Sequence, residues 1–149
     1  MRNVLMILGF GLLFSFSAVA QKKKAAKPLA VPDAISTSFE GKFANAEKKT
    51  WKKSYNGNYV ATFTNEAKQK QVAEFDAEGN MVRSRTIIET DAVPEIINTS
   101  VSAQYADSKV TEIAKVELAG IPSYYKVKIE QADNTKKEIL VSEEGTITE

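Results

Sequence analysis

The chain has 149 residues, with 20 basic and 19 acidic side chains, and it contains neither cysteine nor histidine. Near-balanced charge is a poor composition for a nucleic-acid binder. The missing Cys and His exclude a disulfide scaffold, a Ser-His or Cys-His catalytic pair and the usual zinc ligand sets.

Residues 1–20 are set apart from the rest. Arg2 precedes an apolar run from Val4 to Phe16, followed by Ser17-Ala18-Val19-Ala20. A positive start, a short apolar core and small residues before the break form a secretory signal peptide, cleaved before Gln21. The apolar run is short for a membrane span. The expectation is a periplasmic or secreted protein with no stable membrane insertion after cleavage. Lys22, Lys23, Lys24 and Lys27 make residues 21–30 a basic, disordered linker. From Val31 onward, 15 basic residues face 19 acidic ones, net −4.

A short phrase then occurs twice. Val31-Pro32-Asp33-Ala34-Ile35-Ser36-Thr37-Ser38 is echoed 62 residues later by Val93-Pro94-Glu95-Ile96-Ile97-Asn98-Thr99-Ser100. Each copy reads as a helix start, with Pro at the first helical position and a carboxylate at the positive end of the helix dipole. Ile35, Phe39 and Phe43, and again Ile97, Val101 and Tyr105, form one apolar stripe on each helix. The helices are expected to end near Phe43-Ala44-Asn45 and Tyr105-Ala106-Asp107.

Strands follow each helix. Ala46–Tyr55 is the first, and Asn56-Gly57 signals a tight hairpin. Tyr59–Thr64 and Lys70–Asp76 alternate with a period of two. Asp76-Ala77-Glu78-Gly79 suits a type I turn, and Asn80–Glu89 is the fourth strand. After the second helix come Lys109–Leu118, Ser123–Gln131, Lys136–Ser142 and Gly145–Glu149. Four extra residues fall in the hairpin around Ala119-Gly120-Ile121-Pro122.

The expected fold class is α+β: two tandem helix-plus-four-stranded antiparallel sheet repeats, over residues 31–89 and 93–149, with the helices packed on one sheet face. The two sheets could join edge to edge or stay as two modules; joining would hide two strand edges.

Four features together resemble a known family: the Val-Pro-acid-x-Ile helix start, Phe43-Ala44-Asn45-Ala46 leading into a Trp-bearing strand, the aromatic-led strand Tyr59-Val60-Ala61-Thr62-Phe63, and the Asp76-x-Glu78-Gly79 turn. They look like the PepSY-like, β-lactamase-inhibitor-like domains of bacterial envelope proteins. The resemblance covers residues 31–149. It implies a helix packed on an antiparallel sheet in an exported protein. Relatives of the fold include protein inhibitors of β-lactamases and domains attached to secreted proteases, for which inhibitory or chaperoning roles have been proposed. The absence of Cys departs from the disulfide-bearing lactamase inhibitors.

Candidate chemistry is sparse, and the protein is read as a non-enzyme without a cofactor or metal. The acids that could form a catalytic pair lie in turns (Asp76, Glu78, Glu143, Glu144) or at helix starts (Asp33, Glu95), where structure already explains them. Asp76-Ala77-Glu78-Gly79-Asn80 lacks the spacing of a calcium loop. The candidate partner-binding residues are Trp51, Tyr55, Tyr124, Lys126 and Lys128. Trp51 either packs beneath the helix or joins Tyr55 on an exposed sheet face, as anchors of the kind common at interfaces. If Tyr125 points inward, Tyr124 points outward, and Lys126 and Lys128 extend it into an aromatic–basic strip.

Two functions follow as expectations. One is a binding module whose helix-free sheet face grips another exported protein, inhibiting or escorting it. The alternative is an envelope protein that contacts a small ligand or the cell wall through the basic tail and a cleft between the repeats. A broad exposed sheet favours the first, and a deep apolar pocket between the units favours the second.

Overall fold

The computed structural model describes residues 29–148. The signal peptide expected over 1–20, and the linker of 21–30 up to residue 28, lie outside the described residues. The element order is α1 (Asp33–Lys42), β1 (Glu47–Lys53), β2 (Tyr59–Thr64), β3 (Lys70–Phe75), β4 (Met81–Ile88), a 3-10 turn (Thr90–Ala92), α2 (Glu95–Gln104), β5 (Lys109–Leu118), β6 (Ile121–Glu130), β7 (Lys136–Ser142) and β8 (Ile147–Thr148).

The expected two tandem helix-plus-four-strand repeats are not what forms. Among the described residues, the strands make one eight-stranded antiparallel sheet in the order β1 to β8, with two α-helices. Its continuity rests on β4 and β5, which pair from Arg83↔Leu118 to Ile88↔Ile113. Two separate sheets would leave β4 and β5 each with a row of unpaired N–H and C=O groups, and pairing them removes both edges. The echoed phrase describes local segments, and strand partnership is not encoded in local periodicity.

Both helices lie on the same face of this sheet. Ile35 and Phe39 of α1 pack with Ala61, Phe63, Ala73 and Phe75. Ile97 and Val101 of α2 pack with Ile113, Val127, Ile129, Ile139 and Val141. Between the two clusters the helix-side positions turn polar. Gln71 and Ser84 are both buried, and the Gln71 amide donates to the Ser84 Oγ at 2.9 Å. That bond satisfies two groups that would otherwise be costly to bury.

The helix starts differ from expectation by one residue. Pro32 and Pro94 are the N-caps, and Asp33 and Glu95 are the first helical residues. The Pro32 carbonyl already accepts from the Ile35 and Ser36 N–H groups at 3.1 and 3.0 Å. A missing N–H is harmless at that position too. β6 starts at Ile121 rather than Ser123, leaving only Ala119-Gly120 as the turn. Pro122 is tolerated there because β7 pairs only from Tyr124 onward, so no ladder bond is demanded of it on that side.

Candidate functional site

Strand alternation leaves one face of the sheet without helices. Its cross-strand register gives three central rows. One runs Lys52, Val60, Glu74, Arg83, Leu118. The next runs Thr50, Thr62, Val72, Arg85, Val116, Tyr124, Ser142. The third contains Ile87, Ala114, Lys126, Leu140 and Thr148.

Tyr124, Lys126 and Lys128 come together on this face, while Tyr125 points to the helices and is 5% exposed. Val116 is buried although no helix covers it. Its cross-strand neighbours are Arg85 and Tyr124, whose long side chains can lie over it. Tyr55 sits in the β1–β2 turn at one end of the face and is fully exposed. Trp51 is on the opposite side, half-buried against the α1 cluster. Its ring meets Phe39 edge-on at 5.3 Å and Phe75 at 6.1 Å. Of the two placements open to Trp51, the one beneath the helix is found.

The strip carries an ionic grid that the strand pattern of β6 alone did not reveal. Glu112 lies between Arg85 at 2.5 Å and Lys128 at 2.9 Å, and Lys126 meets Glu138 at 2.7 Å. The hydrogen bond from Lys128, helped by Arg85, outweighs the opposing effect of burial and holds the Glu112 carboxyl below its ordinary pKa. These partners come from β4, β5 and β7. Charged residues at alternate positions were visible in the sequence, but which strands would lie side by side was not.

Toward the Tyr55 end the pattern changes. Glu74 is 7% exposed. Burial pushes its carboxyl upward, but the amides of Asn58 and Asn56 and the Arg83 guanidinium together outweigh that and hold its pKa below the ordinary value. Across the whole face, among the described residues, the strands present eight basic side chains against five acidic ones. A chain that is net negative from Val31 onward therefore offers a net-positive sheet face, its acidic excess lying on the helices and turns. On the helix side, Glu143 raises the pKa of Lys115 through a hydrogen bond, against the effect of burial; the pair is 2.8 Å apart.

One recess reaches the end of the join between β4 and β5, where Arg83 and Leu118 line it, and others lie away from that join. One of about 400 Å³ sits at the C-terminal end of α1, lined by Phe43, Ala46, Phe63 and the β2–β3 turn. Among the described residues, no three Asp or Glu side chains gather as metal ligands, and no helix is long and apolar enough to cross a membrane.

Residues 57–149 match the family model described as "Putative beta-lactamase-inhibitor-like, PepSY-like". The match is a single span from the β1–β2 turn onward. Solved structures share the fold. A DUF2874 family protein from Bacteroides uniformis has a TM-score of 0.73 at 22% identity, over 80% of this chain and 88% of that one. A BLIP-like protein from Bacteroides fragilis has a TM-score of 0.73 at 22% identity, over 81% and 85%. A structure from Bacteroides eggerthii, named among "putative periplasmic proteins", has a TM-score of 0.72 at 18% identity, over 81% and 88%. No curated protein matches the chain.

Proposed function

The chain belongs to the beta-lactamase-inhibitor-like, PepSY-like family, and we propose that it is a non-catalytic exported module that grips another exported protein through its helix-free sheet face. Inhibiting or escorting that partner is the role this reading assigns. The observation that carries it is the Tyr124 strip: an aromatic anchor on a broad uncovered sheet, framed by the Glu112 and Glu138 ion pairs. Interfaces place aromatic anchors among charges that set orientation and association rate. Export is supported by the signal-like residues 1–20 and by the periplasmic name given to one structural neighbour.

The test is capture from an envelope fraction, using the full chain with a C-terminal tag, exported by its host. We expect one exported protein to be retained by the wild type and lost with Tyr124→Ala, whose circular dichroism and unfolding midpoint stay close to wild type. Capture of cell-wall material or lipid alone would sink the protein-partner reading and favour the cell-wall alternative.

A further inference from the structure

At the Tyr55 end of the helix-free face, a recess of about 390 Å³ is lined by Tyr55, Asn56, Asn58, Glu74, Arg83 and Leu118, among others. Its floor is an organised network. The Asn58 Nδ2 donates to the Glu74 Oε1 at 2.9 Å and the Asn56 Nδ2 to the same oxygen at 3.4 Å. The Arg83 Nη2 donates to the Glu74 Oε2 at 2.8 Å. The turn that carries Tyr55 is closed by Ser54 and Asn58, both bonded to the Asn56 Oδ1. One carboxylate thus fixes both the turn and the guanidinium.

That network leaves donors over. The Arg83 side chain is 55% exposed, and only its Nη2 has a partner among the described residues. A guanidinium held at one nitrogen, with its other donors open, presents a fork that matches a carboxylate. Both Glu74 oxygens are already engaged, so a cation gains little here. Tyr55 at the rim and Leu118 in the wall supply apolar surface beside the fork.

We propose that this recess is a subsite for an acidic residue of the protein partner: a side-chain carboxylate docks on the open donors of Arg83, and a neighbouring apolar side chain rests against Tyr55 and Leu118. It rests on the reading of the helix-free face as a protein-binding surface, and it is continuous with the Tyr124 strip through the Arg83–Leu118 pair.

The experiment is an NMR titration of 15N-labelled protein expressed from the full chain, following the Arg83 Nε–H and the Asn58 side-chain amide. The probes are acetyl-Gly-Asp-Leu-Gly-amide, its Asn counterpart and inorganic phosphate. We expect saturable shifts with the Asp peptide and binding at least about tenfold weaker with the Asn peptide, in line with the worth of a charge-assisted hydrogen bond. Arg83→Gln abolishes the response. Tyr55→Ala, at a fully exposed position, weakens it several-fold without moving the unfolding midpoint; it keeps the test decisive if Arg83→Gln unfolds. Equal response to both peptides, phosphate binding as tight as the Asp peptide, or no shift up to about 10 mM probe would overturn the subsite. Envelope capture that survives Arg83→Gln would overturn it while leaving the face reading intact. Loss of capture by the wild type would strike that reading itself.

Discussion

Beneath α1 the core is built mainly of rings, and beneath α2 mainly of branched aliphatic chains beside the buried Tyr125. Phe39 lies within 5.0–6.2 Å of Phe43, Trp51, Phe63 and Phe75 by ring centroid, and the strands answer with the small Ala61 and Ala73. Under α2 the helix offers only Val101 at the matching place in its stripe, and the strands supply Ile113, Val127, Ile129, Ile139 and Val141. The space between helix and sheet is filled in two ways. Around Phe39 the strands supply large rings, Phe63 and Phe75, beside the small Ala61 and Ala73, whereas around Val101 they supply mostly medium-sized chains. Close packing constrains the volume at each site more than the identity of the residue.

The comparison can be broken most severely at Phe39. Phe39→Ala should cost about 3–5 kcal/mol, because a ring surrounded by four others leaves a cavity that rigid neighbours fill poorly. Val101→Ala, which removes two methyl groups, should cost only about 2 kcal/mol. Urea unfolding of both variants measures the difference, and equal costs would show that the aromatic half has no special role in stability.

A smaller contrast lies in two turns that press on the helices. Gly79 (φ +89) and Gly145 (φ +87) both hold a left-handed conformation. A Cβ on Gly79 would meet the Ala34 carbonyl oxygen at 2.9 Å, whereas on Gly145 it would meet the Ser100 Oγ at 2.5 Å and the Ile96 Cγ1 at 2.9 Å. The Ser100 and Ile96 side chains can rotate away; a helix carbonyl cannot. Gly79→Ala should therefore be the worse of the pair, with each costing roughly 1–3 kcal/mol for the conformation and contact, read as a fall in thermal midpoint.

Acid titration sharpens the picture of the uncovered face. Glu74 and Glu112 both have folded pKa values below their ordinary ones. Their contribution is fully present above the ordinary carboxylate pKa and is lost as pH falls through the depressed folded values. Stability should drop over that acidic window, and the drop should flatten in Glu74→Gln and in Glu112→Gln. Lys115, raised by Glu143, acts at the other end, and its contribution is lost as pH rises through its folded pKa. A small effect on stability is expected for Tyr124→Ala, within about 1 kcal/mol for a partly exposed side chain, though it carries a large effect on partner capture.

Much of the local structure was readable beforehand. The Pro-acid helix starts, the Phe39 and Val101 stripes, the Asp76-to-Gly79 turn and the β5 and β7 boundaries all follow from short-range rules: fixed proline φ, helix periodicity, glycine's access to positive φ, and alternation along a strand. Alternation also placed Tyr124 opposite Tyr125. What could not be read was partnership. Arg85, Glu112 and Lys128 lie on three different strands, and nothing in any one segment says that they meet. Trp51 was open to two local readings until Phe39 and Phe75 stood against it.

By itself, the sequence determined the elements, their polarity in and out, and the lack of thiol and imidazole chemistry, because these depend on composition and on neighbours a few residues away. Tertiary structure decided that β4 pairs with β5 to make one sheet, that a buried Glu74 pins Arg83, and that the net-positive charge gathers on the uncovered face. Each of these depends on groups brought together across the chain, where burial and pairing set the energy.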